Sequence, residues 1–362
     1  MALSKIILAN FRNHAATELG ETAQFNLLVG ANGAGKTNLL EAISLLGAGR
    51  GLRRAALGDL ARRPAGSDAP QAFAIGASLI EQGQVSARLG TYTEPHQPNR
   101  RLVRINGAAA TASALSEWLA LAWLTPAMDG LFTDSAGARR RFLDRLALAI
   151  APDHAHRVAQ FEAALRERNR LLEARGDAGW LDAIEQQVAE HGTRVHHTRA
   201  ELVSLLMDEL SALPPEPFAK PHLTLRAGGP TDPVALRAEL ARARPRDRAA
   251  GRALTGPQRD ELVVVMASSG QPAASCSTGE QKAMLIAITL AHGTLAASGR
   301  PSVLLLDEVA AHLDPLRRAE LFRRLGAGRA QVWMTGTELA PFADIAKDAA
   351  IWQVSDGSAK RG

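Results

Sequence analysis

Gly30-Ala31-Asn32-Gly33-Ala34-Gly35-Lys36-Thr37 constrains this chain more than any other stretch. Glycines at these positions let backbone N–H groups converge on phosphate oxygens. Phe25 to Val29 reads as a short buried strand before the loop, and Asn38 to Leu46 has helical spacing after it. A glycine-rich loop between a strand and a helix is a phosphate cradle, with the helix N-terminus adding its positive end. Lys36 is expected to reach the β- and γ-phosphates of ATP or GTP, and the Thr37 hydroxyl to ligate Mg²⁺. Gly30, Ala31, Asn32, Gly33, Ala34, Gly35, Lys36 and Thr37 form the expected nucleotide-binding segment.

A phosphate loop of this kind needs a metal carboxylate at the end of a neighbouring strand. Ser302-Val303-Leu304-Leu305-Leu306 reads as a buried strand, and Asp307-Glu308 follow it. Asp307 is expected in the metal shell and Glu308 at the attacking water; by itself the pair would serve equally as a strand cap. A further segment, Ser277-Thr278-Gly279-Glu280-Gln281, precedes the helical run Ala283 to Ala291. Ser and Gly at a helix start make an anion site, or an ordinary cap. One nucleotide does not need two such sites from one chain, so this one is read as facing the γ-phosphate of a second subunit. Asp314 lies six residues after Glu308, in Ala311-His312-Leu313-Asp314.

Between these motifs the character changes. Residues 71–80, 85–92 and 101–105 look like three strands of a small antiparallel sheet. Ala138 to Arg175 and Trp180 to Leu213 have helical periodicity and read as an antiparallel hairpin ending at Pro214. A Pro/Arg-rich stretch follows at 230–252, then strands at Leu262 to Met266 and Ala330 to Met334. The expected organisation is an N-terminal ATPase part over 1–130, a helical insertion over 131–250 and a C-terminal ATPase part over 251–362.

With this motif set in view, the Gly30–Thr37 loop, Ser277–Gln281, Leu304–Glu308 and Ala311–Asp314 resemble the Walker A, signature, Walker B and D-loop of ABC-type ATPases. The wide insertion resembles the SMC and Rad50 branch. Leu8 to Asn13, Val29 to Asn38, Leu124-Thr125-Pro126, Arg139-Arg140-Arg141-Phe142-Leu143-Asp144, Arg246-Asp247-Arg248 and Thr255-Gly256-Pro257 resemble the RecF family in particular. The fold this implies is α/β: an ABC-type P-loop NTPase head with an accessory antiparallel sheet and an inserted α-helical lobe. The resemblance implies ATP and Mg²⁺ as cofactors, a head-to-head dimer around two nucleotides, and DNA binding in the ATP state. It also implies slow hydrolysis for release, support of the SOS response, and action with RecR and RecO to help RecA load at gaps. Arg12 is expected near the nucleotide. Two departures stand out. The segment before Leu124-Thr125-Pro126 reads Leu121-Ala122-Trp123, without the Gln common in ABC-type ATPases, and Met334-Thr335-Gly336-Thr337 lacks the switch His of transporters. The second departure favours slow turnover, with Thr335 or Thr337 as partial substitutes.

Composition fits a DNA-facing role without demanding it. Net charge is +5, and 36 of the 42 basic residues are Arg, which a biased source genome would also produce. The candidate DNA-binding clusters are Arg50, Arg53 and Arg54; Arg139, Arg140 and Arg141; and Arg242 to Arg248. The second cluster could equally pair with acids inside the lobe. Aromatic residues make up 4% of the chain, too few for base stacking to dominate, so backbone contact to duplex fits better. Cys276 is the sole cysteine, so an intramolecular disulfide is excluded, and no long apolar run is present. A cytoplasmic, membrane-free protein is expected. The main competing reading is the ATPase subunit of an ABC transporter. A structural SMC-like protein would need far longer helical arms.

Overall fold

The computed structural model describes residues 2–63, 71–81, 83–148, 150–214, 216–296, 300–310 and 313–362. The strands are β1 (Leu3–Phe11), β2 (His14–Leu19), β3 (Phe25–Val29), β4 (Ala74–Glu81), β5 (Gln84–Glu94), β6 (Gln97–Ile105), β7 (Ala108–Ala110), β8 (Ala120–Leu124), β9 (Pro221–Arg226), β10 (Glu261–Met266), β11 (Ser302–Leu306), β12 (Gln331–Gly336), β13 (Ala349–Ser355) and β14 (Ser358–Arg361). The α-helices are α1 (Lys36–Ser44), α2 (Leu115–Trp118), α3 (Ala136–Ala147), α4 (His154–Glu173), α5 (Ala178–Ala212), α6 (Pro233–Ala250), α7 (Thr278–Ala296) and α8 (Pro315–Ala327). The chain divides into two compact units. One comprises Met1–Met128 with Thr289–Gly362, and the other Asp129–Ile288.

The first unit holds two six-stranded sheets. In one the order is β14-β13-β3-β12-β11-β8, with β13, β3, β12, β11 and β8 parallel to one another. Every residue of β3, β11 and β12 is buried, as expected for central parallel strands covered on both faces. The register aligns Val29 with Gly336 and Leu306 with Met334 and Leu124. The carboxyl ends of these strands therefore share one edge, where α/β folds build ligand sites. The other sheet, β2-β1-β4-β5-β6-β7, is antiparallel throughout. It covers more than the three strands expected over 71–105, because the loosely alternating N-terminal segment supplies β1 and β2.

Arg101 of β6 ties this sheet to the end of α1. Its guanidinium donates to the carbonyls of Leu45, Gly47 and Gly49 and to Thr91 Oγ1. Burial pulls its pKa down to about 10.

In the second unit α4 and α5 form the antiparallel hairpin, with Asp177 capping α5 through the Trp180 N–H. The expected first arm, Ala138 to Arg175, is two helices rather than one. Helix α3 ends at Ala147 and α4 starts at His154. Pro152 lies in the gap; it donates no N–H and disfavours helical geometry in the residue before it. The stretch at 230–252 is helix α6. Asp232 caps its first N–H groups, Pro233 occupies the first turn, and Gly251 closes it in the left-handed conformation. Strand β10 pairs with β9 across α6, so residues past 250 belong to this unit. The compact unit therefore extends beyond the 131–250 segment, through the Ser277–Gln281 motif.

The interior of this unit is ionic. Arg168 is fully buried and donates to Glu185 at 3.0 Å, Asp247 at 2.8 Å and the Leu240 carbonyl at 2.8 Å. Arg199 holds both oxygens of Asp144, together with Asp260 and the Pro257 carbonyl. Burial opposes ionisation of Asp144, but His154 and Arg199 outweigh it and hold its pKa below the ordinary value. Deleting one member of such a network strands its partners. Arg168→Met is expected to lower unfolding stability by about 3–5 kcal/mol, read from urea unfolding of the full chain. A change under about 1 kcal/mol would show that the network relaxes around the loss.

Candidate functional site

The phosphate loop begins where β3 leaves the sheet. Gly30 N donates to Gly336 O at 3.2 Å, and a Cβ on Gly30 would lie 2.1 Å from Val354 O, so no side chain fits there. Gly35 has φ 113°, which disfavours any L side chain. It also leaves the first turn of α1 without a side-chain cap, so amide donors and the positive end of the helix face the loop. Helix α1 starts at Lys36, at the end of the glycine-rich loop. Lys36 Nζ bridges the loop, donating to Gly30 O at 2.6 Å and Ala31 O at 2.8 Å. Burial lowers its pKa, against the opposing pull of Glu308 and Asp307.

Behind the loop stands a wall of residues to which sequence reasoning assigned no role. Asn13 Nδ2 donates to Ala34 O at 3.0 Å and is itself held by Asn38. Gly357, in the β13–β14 turn, donates its N–H to Ala34 O. Buried His14 meets Gly35 O through Nε2 at 3.1 Å and Thr17 Oγ1 through Nδ1 at 2.9 Å. A carbonyl only accepts, so Nε2 carries the proton and Nδ1 accepts from Thr17. The available signal was the run Asn10 to His14 breaking the first strand, but nothing local ties it to a loop twenty residues on.

On the other side, Asp307 Oδ1 accepts from Thr37 Oγ1 at 3.0 Å and from Thr335 Oγ1 at 2.8 Å. Desolvation raises the Asp307 pKa, partly offset by these two hydroxyls. Thr335 Oγ1 also accepts the Glu308 N–H at 2.9 Å, and Glu308 takes the left-handed conformation at φ 55°. Such backbone is held only where neighbours over-determine it. Thr335 thus fixes both acidic residues, a bracing role distinct from that of a switch His. Thr37 and Asp307 offer hard oxygen ligands on one spot, a set that suits Mg²⁺ completed by phosphate and water. Among the described residues no cluster of three or more His, Cys, Asp or Glu forms a protein-only metal cage.

Arg12 does not stand free beside the loop. Its guanidinium forms a bidentate pair with Glu41 of α1, at 2.9 and 3.0 Å. Arg53 reaches Asn38 at 2.9 Å and Glu41 at 3.5 Å, while Arg50 and Arg54 lie exposed in the same segment. Arg139 and Arg140 are committed inside their own unit: Arg139 to Glu261 and the Phe132 and Asp134 carbonyls, Arg140 to the Asp260 carbonyl. Only Arg141 of that trio is exposed. Arg242, Arg244, Arg246 and Arg248 also have partners within the lobe: Glu239; Asp182 and Glu185; Thr255; and the Leu172 carbonyl.

The Ser277–Gln281 segment opens α7 with a capping box. Ser277 N donates to the Glu280 carboxylate, and Glu280 N to Ser277 Oγ. Ser277, Thr278 and Gly279 are exposed, and nothing lies within 4 Å of where a Gly279 Cβ would stand. Gln281 is buried, with its amide on Cys276 O. Asp314 caps α8 through the Arg317 N–H at 2.9 Å; Ala311 and His312 lie outside the described residues.

His14 makes the loop's support acid-sensitive. Burial holds its pKa below 6.5, the carbonyl contacts notwithstanding. Below that pH the unfolded chain takes up a proton that the folded chain resists. The stability His14 contributes is therefore complete above 6.5 and is lost as pH falls through the range beneath it. Urea unfolding at pH 7.5 and 5.5 should show a smaller acid loss in His14→Gln than in wild type; equal losses would remove His14 from the account.

The description RecF/RecN/SMC N terminal domain matches residues 2–358. The DNA replication and repair protein RecF of Brucella suis biovar 1 (strain 1330) is 46% identical over 370 residues, covering 99% of this chain and 95% of that protein. Its counterpart in Mesorhizobium japonicum (strain LMG 29417 / CECT 9101 / MAFF 303099) is 47% identical over 371 residues, covering 98% and 97%. Among solved structures, the recombination mediator protein RecF with ATP in the RecFOR pathway superposes with a TM-score of 0.84 at 21% identity, covering 99% of each chain. An Smc head domain from Pyrococcus furiosus gives 0.55 at 16%, covering 100% of this chain and 96% of the other. No helix among the described residues is long and apolar enough to cross a membrane. The mixed parallel and antiparallel sheets form an SMC-like ATPase head, and the chain belongs to the RecF family.

Proposed function

We propose that this chain is an ATP-switched, DNA-binding recombination mediator of the RecFOR pathway. The observation that carries the reading is the meeting of Thr37 and Asp307 at 3.0 Å beside the Gly30–Thr37 loop. Bound Mg²⁺ would neutralise phosphate charge, held by Thr37 and Asp307. Lys36 and the α1 amides bind the phosphates, and Thr335 keeps Asp307 in place. Glu308 orients the attacking water and accepts its proton, which sets how long ATP persists. No His follows Thr335, in keeping with slow turnover and weak ATPase activity.

The exposed Ser277, Thr278 and Gly279 have the chemistry of an anion site at a helix start. On this reading they close on the nucleotide of a second copy, with Glu280 and Gln281 shaping that helix start and Asp314 at the subunit junction. ATP then joins two subunits. Arg50, Arg54 and Arg141, all exposed, supply phosphate contacts to DNA. Arg139 and Arg140 drop out of that set because interior partners hold them. RecR and RecO, with RecA downstream, are the partners this reading carries over from the RecF family.

Binding to gapped duplex, with and without ATP, tests the proposal in wild type and Lys36→Met. ATP should tighten wild-type binding by about tenfold or more, leave Lys36→Met unchanged, and give an affinity that falls steeply as salt rises from about 50 to 200 mM. Equal ATP-independent binding by both proteins, or affinity flat with salt, would refute it.

A further inference from the structure

We propose that Glu41 is a positioning residue of the nucleotide site: it holds Arg12 and Arg53 as a fixed pair of cations beside the phosphate loop. The inference rests on reading Gly30–Thr37 as a nucleotide site. Glu41 lies one turn beyond Thr37 on α1, and its carboxylate is 2% exposed. A buried carboxylate is costly unless it is paired and hydrogen-bonded. Here both oxygens take the Arg12 fork, at 3.0 Å to Nη2 and 2.9 Å to Nε. The Oε2 atom also faces Arg53 Nη1 at 3.5 Å, and Asn38 holds the same nitrogen at 2.9 Å.

The geometry of Arg12 is over-determined. Its backbone is left-handed at φ 52°, with its N–H on Leu60 O at 2.7 Å, and its Nη1 donates to Asp59 O at 3.0 Å. Three of its side-chain donors are engaged, and a guanidinium has five. The remaining two leave a fork already set in direction. Arg53 donates to Asn38, the residue that follows Thr37 on α1. Two guanidiniums this close repel each other, and one shared carboxylate offsets that repulsion. One positive charge in excess remains on the first turns of α1, beside Asn38. Glu41 acts through the arginines and touches no reacting group.

A purely structural ion pair would also stabilise the fold, so the test must separate the two roles. MgATP binding to the full chain is measured for wild type, Glu41→Gln, Arg12→Ala/Arg53→Ala, and the triple variant. Glu41→Gln should weaken MgATP binding by about tenfold in the wild-type background and have no further effect once both arginines are gone. Wild-type affinity in Glu41→Gln, or the same loss in both backgrounds, would overturn the role. Arg12→Lys keeps the charge and removes the fork. It should weaken binding comparably, and it serves if Glu41→Gln fails to fold; undiminished binding by Arg12→Lys would also overturn the proposal. A wild-type chain that ignores MgATP would instead overturn the nucleotide reading itself, and this inference with it.

Discussion

The candidate site depends on one oxygen atom. Asp307 Oδ1 accepts from Thr37 at the head of α1 and from Thr335 at the end of β12, while its own backbone N–H donates to Leu124 O of β8. A helix and two strands therefore converge on the single buried residue that follows β11. Desolvation works against its charge, and the two hydroxyls restore part of what is lost. Thr335 passes the constraint on by accepting the Glu308 N–H, which fixes the left-handed turn that presents Glu308. The glycine-rich loop, Thr37, Asp307 and the adjacent Glu308 are thus one mechanical unit.

The loop is braced from behind by different chemistry. Asn13, His14 and Gly357 satisfy its carbonyls with neutral donors. Neutral groups add no charge behind the loop, so positive charge at the site comes from Lys36, the α1 amides and the arginines that Glu41 holds. Charge is concentrated in the Arg12–Glu41–Arg53 cluster on the first turns of α1 and in the lobe interior around Arg168 and Arg199. The lobe network also accounts for the segments that carry the family resemblance. Asp144, Asp247 and Pro257 are its anchors, so Arg-Arg-Phe-Leu-Asp, Arg-Asp-Arg and Thr-Gly-Pro are built around the lobe's interior contacts.

Much of the candidate site's frame was legible in the sequence because its signals are local. Phe25–Val29 and Ser302–Leu306 are apolar runs with glycine or carboxylate punctuation, and both form central strands with those bounds. The antiparallel sheet was partly legible, since β4, β5 and β6 alternate and Gly83 and Asn106-Gly107 supply turn chemistry, whereas β1 and β2 gave a weaker pattern. What escaped was non-local. Nothing near His14 indicates Gly35, and nothing near Glu41 indicates Arg12, because each contact joins segments more than twenty residues apart. The β9–β10 pair spans α6, so the reach of the lobe past residue 250 had no local sign. Helix α6 had its signs in Asp232, Pro233 and Gly251, but the prolines and arginines within it obscured the helical pattern.

In the proposed function ATP is a clamp whose duration Glu308 sets. Light scattering of Glu308→Gln in MgATP, beside the same protein without nucleotide, tests that claim most directly. A shift to twice the monomer mass with MgATP, persisting longer than in wild type, is the predicted result. Monomer mass at saturating MgATP would contradict it.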